Sequence, residues 1–468
     1  MDRQLLWAPT AWLAVDAPQR WVKTVLCESD ANGFWSSITP NVSLEQAQQQ
    51  GATIACGGLL PGVANTHSHA FQRAFAGLAE RRYADHDDFW SWRDRMYRVA
   101  LAISPQQLKA VAAQLYLEML RGGYTHVCEF HYLHHVANGV PYDDALTMSW
   151  MLIEAARDVG IGLTLLPVLY ERSGFAATTL RDDQRRFATD TTWVLNAQRR
   201  IAHHAAGSAL LNAGVAIHSL RAVNPASIHA LANAARGPIH IHIAEQTAEV
   251  EACIKLTGMR PVQWLAGLGL LDARWQLVHA THVTPEEIER VAKSGAGVVL
   301  CPTTEANLGD GATDLVAWLA SGTALSIGSD SHVARDWREE LRLAEYGQRL
   351  LHRSRNVSAD PKSGQTATAE RLFARVVAGG AAAAGHVKWG LAVGARADAV
   401  VVNSQASALL GMPETRMLDA LVFSSPTPAF DDVMVAGRWA IRAGKHAAQD
   451  AIQSKFVDAM NGLWAEFS

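Results

Sequence analysis

Cysteine is scarce in this chain, and its distribution limits what it can form. The five cysteines are Cys27, Cys56, Cys128, Cys253 and Cys301. An odd number at wide spacing argues against a disulfide framework and against a cysteine-rich zinc knot. We therefore expect a reducing compartment and a cytoplasmic protein.

Long apolar runs are missing as well. No uncharged apolar run reaches the roughly 18 residues that a membrane-spanning helix needs. Residues 1–9 also show no basic region followed by a long apolar core, the pattern that marks a secretory signal. We expect no membrane partner.

The chain has no excess of positive charge. Its formal net charge is −4 and its pI is about 6.5, so it lacks the basic footprint of a nucleic-acid-binding protein. Hydrophobic residues make up 49% and charged residues 18%, which is close to the globular average and excludes a disordered chain. An anionic ligand must then be met by individual arginines instead of an overall field.

Apolar runs alternate with helical patterns from about residue 61 to residue 380, which predicts a (β/α)₈ barrel of the TIM type. The first strand ends at His67. The other seven predicted strands are Thr125–Phe130, Gly162–Leu169, Ala213–Ser219, Pro238–Ile243, Gln276–Ala280, Gly297–Cys301 and Ala324–Ser329. An open doubly wound sheet is the alternative, but no Gly-x-Gly-x-x-Gly follows an early strand.

Both ends of the chain look like β-structure that is too small to bury a core alone. The C-terminal strands are predicted at Ala397–Val402, Ala420–Ser424 and Asp432–Arg442. We expect residues 1–60 and 385–448 to pair into one small β-sandwich, with the barrel at 61–384 and a C-terminal helix at 449–468.

Histidines cluster where barrel strands are predicted to end, which is where barrels carry their chemistry. His67 and His69 alternate along one strand and therefore point to the same side. His240 and His242 share a face of a later strand, His279 ends the next, and Asp330 follows the last. Three imidazoles and a carboxylate suit Zn²⁺, with Fe²⁺ or Mn²⁺ as alternatives. Either His240 or His242 could complete the set.

No lysine occurs between Lys109 and Lys255, the span of the middle strands. A carbamylated lysine that bridges two metal ions is therefore not expected, and one ion is favoured. Glu129 is the remaining residue that could bridge a second ion.

Several segments resemble the amidohydrolase superfamily. They are PGVANTHSHAFQRAFAGLAERR at 61–82, HSLRAV at 218–223, HIHIAEQ at 240–246, HATH at 279–282, CPTTEANLGDG at 301–311 and GSDSHV at 328–333. They span most of the barrel in order. Within the superfamily, the continuation Phe-Gln-Arg and the run His-Ser-Leu-Arg resemble members that hydrolyse N-formimino-L-glutamate.

The resemblance implies roles for particular residues. Zinc would be held by His67, His69, His242 and Asp330, and proton transfer would involve Glu245, His279 and Asp330. The implied substrate contacts are Gln72, Arg93, Tyr132, His218 and Arg221. The implied reaction gives N-formyl-L-glutamate and ammonia after metal-bound hydroxide attacks the formimino carbon, in the pathway of histidine degradation. A homodimer is implied as well.

The residues themselves support a diacid substrate. Arginine can bind a carboxylate through two parallel hydrogen bonds, and Arg93 and Arg221 could hold the two ends of a small dicarboxylate. Two other functions remain as alternatives. A guanine or other purine deaminase would share the metal set but offer no pair of carboxylates, and a barrel that serves only as a scaffold would be expected to lack the ligands.

Overall fold

The computed structural model describes residues 3–14, 20–82 and 88–465. Its strands are Gln4–Trp12 (β1), Trp21–Ser29 (β2), Trp35–Thr39 (β3), Thr53–Ile54 (β4), Leu59–Leu60 (β5), Val63–Ser68 (β6), Tyr124–His131 (β7), Gly162–Leu169 (β8), Leu211–Ala213 (β9), Val215–Ser219 (β10), Ile239–Ile243 (β11), Trp275–His279 (β12), Gly297–Leu300 (β13), Ala324–Ile327 (β14), Ala399–Val402 (β15), Phe430–Val435 (β16) and Arg438–Ile441 (β17).

The α-helices of the described residues are Leu44–Gln49 (α1), Phe89–Ala102 (α2), Pro105–Arg121 (α3), Thr147–Val159 (α4), Thr191–His204 (α5), Pro225–Ala234 (α6), Thr247–Thr257 (α7), Pro261–Gly267 (α8), Pro285–Ser294 (α9), Pro302–Leu308 (α10), Leu315–Ser321 (α11), Trp337–His352 (α12), Thr368–Ala383 (α13), Met417–Phe423 (α14) and Gln449–Ala465 (α15). Short 3₁₀ helices lie at Ala70–Ala74, Asp182–Phe187, Pro361–Ser363 and Glu414–Arg416.

The larger sheet is a closed parallel barrel. Its strands follow the order β6, β7, β8, β10, β11, β12, β13 and β14, and β14 pairs with β6 to close the ring. The short strand β9 pairs with the first half of β8 and β10 with its second half, so the two pieces act as one barrel strand broken at Gly214. The predicted (β/α)₈ barrel is confirmed.

Burial explains why the barrel strands read as continuous apolar runs. Every residue of β6, β7, β8 and β11 is buried, because side chains pack inside the ring on one face and against helices on the other. Polar residues on these strands therefore interrupt an otherwise apolar, buried pattern. Those at the carboxyl ends of the strands form the site described below.

Helix α3 illustrates how local sequence signals set the covering helices. Ser104 accepts a hydrogen bond from the main-chain amide of Gln107, and the Gln107 side chain accepts one from the amide of Ser104. This capping box satisfies two amides at the start of the helix, and Pro105 suits the first turn. The helix then packs against α4 and α15.

The smaller sheet combines strands from both ends of the chain, as predicted. Its order is β17, β16, β15, β5, β1, β2 and β3, with β4 beside β1. The contact between the ends is made where β5 pairs with β15. This sheet has its own apolar core, which includes Val25, Trp35 and Met434. The domain limits stay a prediction, with boundaries after residues 60, 384 and 448.

One predicted strand is wrong. Residues 420–424 do not form a strand, because Met417–Phe423 is helical in the structure. Leu418, Leu421 and Val422 are buried at helical spacing, and a short apolar run of this kind fits a helix or a strand equally well by pattern alone.

The predicted C-terminal helix is present as α15, which packs on α3; residues 466–468 of that prediction lie outside the described residues. Across residues 3–14, 20–82 and 88–465, none of the helices combines the length and apolar character that a bilayer crossing requires.

Candidate active site

Four predicted ligands converge at the carboxyl end of the barrel. The Nε2 atom of His67 lies 3.0 Å from Nε2 of His242 and 3.4 Å from Oδ1 of Asp330. The Nε2 atom of His69 lies 3.3 Å from the same carboxylate oxygen. These side chains come from the end of β6, the end of β11 and the loop after β14, so they are up to 263 residues apart in sequence.

Main-chain carbonyl groups orient two of the imidazoles. The Nδ1 atom of His69 donates a hydrogen bond to the carbonyl oxygen of Phe130 at 2.9 Å, and Nδ1 of His242 donates to that of His218 at 2.9 Å. Because a carbonyl oxygen only accepts, the proton of each ring is held on Nδ1. The lone pair of each Nε2 atom then faces the cluster, as in metal-bound histidines.

The electrostatics of the cluster suit a cation. Burial lowers the pKa of His67 to about 3 and lowers the pKa values of His69 and His242, so that the rings are neutral. Burial would raise the pKa of Asp330, but the hydrogen bond with His67 and the positive charge of His279 hold it below its usual value. Three neutral nitrogens and one carboxylate match the donor set of Zn²⁺.

The other two candidate metal ligands, Glu129 and His240, are hydrogen-bonded to groups outside the cluster. The carboxylate of Glu129 accepts hydrogen bonds from the main-chain amide of Ala70, the hydroxyl of Ser68 and the hydroxyl of Tyr116. The Nε2 atom of His240 donates to the carbonyl oxygen of Ala383 at 2.9 Å. Within the described residues, neither belongs to a group of ligand atoms close enough to share an ion.

His279 lies beside the cluster among carboxylates. Its Nε2 atom is 3.6 Å from Oε1 of Glu245 and 3.8 Å from Oδ2 of Asp330. Burial would lower the pKa of His279, but Glu245, Glu305 and Asp330 raise it to about 10. Burial raises the pKa of Glu245 to about 7, against the opposing charge of His279. The site thus holds a proton donor and a carboxyl group that can change protonation near neutral pH.

The main chain is strained where these side chains enter the site. His279 has φ of 69° and Asp330 has φ of 45°, in the left-handed region that residues other than glycine rarely adopt. Such positions cost on the order of 1–3 kcal/mol each and concentrate at functional sites. Gly328 allows the close approach of β14 to β6, since a Cβ atom there would lie 2.5 Å from Cβ of His67.

An open cavity of about 680 Å³, including solvent at its mouth, adjoins the cluster. All of the predicted site residues except His67 line it, namely His69, Gln72, Arg93, Tyr132, His218, Arg221, His242, Glu245, His279 and Asp330. Gln72 and Tyr132 are joined by a hydrogen bond from Nε2 of Gln72 to the Tyr132 hydroxyl at 3.0 Å.

Two arginines bring positive charge to the cavity wall. Arg93 lies on α2 and Arg221 follows β10 by two residues, and their Cζ atoms are 4.5 Å and 5.5 Å from the ring of Trp90. The Nε atoms of both arginines are buried and have no hydrogen-bond partner among the residues that the structure describes. A partly buried guanidinium group whose Nε has no partner is a suitable site for a carboxylate.

The comparisons with known proteins agree with this architecture. The sequence pattern of the amidohydrolase family matches residues 59–440. The chain belongs to the amidohydrolase family. Formimidoylglutamate deiminase from Pseudomonas aeruginosa is 44% identical over 95% of this chain and 97% of its own length. An 8-oxoguanine deaminase from the same organism is 28% identical over 82% of each chain. A crystal structure of an amidohydrolase from Brucella melitensis is 39% identical, with a TM-score of 0.90 over 98% of this chain and 99% of that one.

Sequence reasoning missed some residues that shape the site of this amidohydrolase. Glu305 on α10 approaches Nδ1 of His279 at 3.4 Å, Phe130 stacks on His242 with ring centres 4.3 Å apart, and Trp90 lies against both arginines. The position of Glu305, one helical turn after the strand-ending Cys301, is a signal that could have identified it. Trp90 and Phe130 carry no such signal, because aromatic residues usually indicate a core.

Proposed function

We propose that this amidohydrolase hydrolyses N-formimino-L-glutamate to N-formyl-L-glutamate and ammonia. The observation that carries the proposal is the pair Arg93 and Arg221, whose buried Nε atoms have no partner within the described part of the chain and which line the same cavity as the His/Asp cluster. The 44% identity to a protein named formimidoylglutamate deiminase, over nearly the full length of both chains, supports it.

The substrate carries two carboxylates, and the arginines provide their partners. A charge-assisted hydrogen bond contributes about 1.5–3 kcal/mol, so each guanidinium group can contribute substantially to affinity. Gln72, Tyr132 and His218 line the same cavity as the arginines and the cluster, and we assign them contacts with the remainder of the substrate. With both carboxylates held, the formimino carbon is directed toward the cluster.

A divalent ion held by His67, His69, His242 and Asp330 would supply a water molecule whose pKa falls to about 7. Asp330 takes the proton of the attacking water. His279, positively charged among its carboxylate neighbours, stabilises the negative charge that develops in the transition state. Glu245 donates a proton to the departing nitrogen.

The bonding changes follow from that arrangement. A bond forms between the water oxygen and the formimino carbon, and the bond from that carbon to the terminal nitrogen breaks. The nitrogen leaves as ammonia, and the carbon remains on the substrate as a formyl group. If Glu245 instead protonated the bridging nitrogen, formamide would be released.

The test is to supply N-formimino-L-glutamate and measure ammonia and formamide separately. We expect one ammonia for each N-formyl-L-glutamate formed. Formamide as the main product, or no turnover by metal-loaded protein, would refute the proposal. Guanine and 8-oxoguanine serve as the comparison substrates, because a purine deaminase of the same family is the second candidate. Its named relative is 28% identical, against 44% for the deiminase.

We further propose that the bound ion is a single Zn²⁺, with Fe²⁺ and Mn²⁺ as the alternatives that elemental analysis distinguishes. The donor set and the engagement of Glu129 with three other groups support one ion.

We also propose that the enzyme is a cytoplasmic homodimer. Its proposed domains are a β-sandwich formed by residues 1–60 and 385–448, the barrel at 61–384 and a C-terminal helix at 449–468. Light scattering during gel filtration tests the dimer.

A further inference from the structure

Glu171 and Arg172, which follow β8, form hydrogen bonds to the loop that follows β10 and carries Arg221. The guanidinium group of Arg172 donates hydrogen bonds from Nη2 to the carbonyl oxygen of Leu220 at 3.2 Å and from Nε to that of Arg221 at 3.1 Å. The main-chain amides of Glu171 and Arg172 both donate to the carbonyl oxygen of Ala222, at 2.8 Å and 3.0 Å. Three consecutive carbonyl groups are therefore fixed by two neighbouring residues.

The carboxylate of Glu171 extends the same contact. It accepts hydrogen bonds from the main-chain amide of Asn224 at 2.9 Å, from its side chain at 3.1 Å and from the hydroxyl of Ser227 at 2.6 Å. Asn224 directly precedes α6. The loop that carries Arg221 is thus attached at its middle by Arg172 and at its end by Glu171.

Arg172 is suited to this task, and among the described residues its guanidinium group hydrogen-bonds to main-chain carbonyl groups and not to a carboxylate. Its side chain is buried, and its third donor, Nη1, reaches the carbonyl oxygen of Phe175 at 3.4 Å. A guanidinium group presents its donors in a rigid planar fork, whereas a lysine ammonium group is a single point charge. The planar guanidinium group can donate at the same time to the carbonyl oxygens of Leu220 and Arg221 and to that of Phe175.

We propose that Arg172 is a positioning residue that fixes the main chain of Arg221 and thereby sets the affinity of the enzyme for a carboxylate of its diacid substrate. The inference rests on the proposed function, because it concerns the carboxylate that Arg221 binds. Arg172 acts through Arg221 and does not touch the substrate. Its effect must therefore disappear when Arg221 is already absent.

The experiment is a double-mutant cycle with Arg172→Gln and Arg221→Met. We expect Arg172→Gln to raise KM for N-formimino-L-glutamate about tenfold, with kcat changed less than about threefold. In the Arg221→Met background the same substitution should change KM less than about twofold, because residues that act as one unit are not additive. Binding of glutarate, measured by calorimetry, should follow the same pattern without any turnover.

Arg342→Met is the matched control, since Arg342 donates to the main-chain carbonyl groups of Val422 and Ser425, outside the loop of Arg221. We expect its KM to stay within about twofold of the wild type. If Arg172→Gln does not fold, Arg172→Lys takes its place, and its KM should also rise because the fork is lost. An equal effect of either variant with and without Arg221, or a loss confined to kcat, would overturn the inference. Wild-type turnover tests the proposed function separately, and the glutarate arm stays informative if that turnover is absent.

Discussion

The Nδ1 atom of His279 lies 3.4 Å from Oε1 of Glu305, and the same oxygen accepts a hydrogen bond from the main-chain amide of Cys301 at 2.9 Å. Glu305 therefore ties the imidazole of His279 to the end of the neighbouring strand β13. The other ring nitrogen is left to face Glu245 and Asp330. The orientation and the charge of His279 both depend on this contact.

Replacing Glu305 by glutamine tests that dependence. The variant keeps an oxygen that can accept from Nδ1 but loses the negative charge, so we expect kcat to fall by one to two decades, corresponding to the roughly 1.5–3 kcal/mol of a charge-assisted hydrogen bond. The measurement is steady-state ammonia release. Glu287→Gln serves as the control, because Glu287 is also buried but pairs with Arg260. An unchanged kcat in Glu305→Gln would contradict the assignment.

His242 and His240 provide a direct comparison of two histidines on one strand. We expect His242→Asn to lose bound metal and at least about tenfold in activity, since even groups that only orient metal ligands contribute 10–100-fold. His240→Asn should retain metal, because His240 is bonded to the carbonyl group of Ala383 instead. Metal per chain is measured by mass spectrometry after gel filtration. If both variants retained the full metal content, His242 would be excluded as a ligand.

Arg93 and Arg221 are expected to act on affinity. Replacing either by methionine should raise KM for N-formimino-L-glutamate about ten- to hundredfold, because one charge-assisted carboxylate contact is lost. Arg181→Met is a nearby control, since Arg181 lies beside Tyr97 but pairs with Asp183. Its KM should change little. Wild-type KM in both cavity variants would favour a substrate without two carboxylates.

Cys56 is exposed, yet its thiol should react slowly. Partial burial and the neighbouring carboxylate of Asp431, which accepts a hydrogen bond from Sγ at 3.1 Å, raise its pKa to about 11. Only the thiolate is nucleophilic, so alkylation by iodoacetamide should accelerate about tenfold per pH unit between pH 8 and 10. Asp431→Asn should lower the pKa and speed the reaction at pH 8. A rate that levels off below pH 9 in the wild type would contradict this expectation.

The barrel could be predicted from the sequence because each strand is buried on both faces and therefore reads as an apolar run. The positions of His67 and His69 followed from the two-residue repeat of a strand, and Asp330 from its place after the last strand. The helix at Met417–Phe423 could not be distinguished from a strand, because its apolar run is too short for periodicity to decide.

The contacts that hold the site together were beyond the reach of the sequence. The role of Arg172 depends on which loops meet in space, because its partners lie about 50 residues further along the chain. Arg93 was placed by resemblance, since its run Trp92-Arg93-Asp94-Arg95 also fits a solvated helix face. The left-handed main chain at His279 and Asp330 leaves no trace in a pattern of residue types.

The small sheet in which β5 pairs with β15 imposes an order of events on the newly made chain. More than 300 residues separate these two strands, and a ribosome adds about 5–20 residues per second. The edge of β5 therefore stays unpaired for about tens of seconds while the barrel is being synthesised. The strands that complete the small sheet, β15, β16 and β17, are synthesised only after the whole barrel.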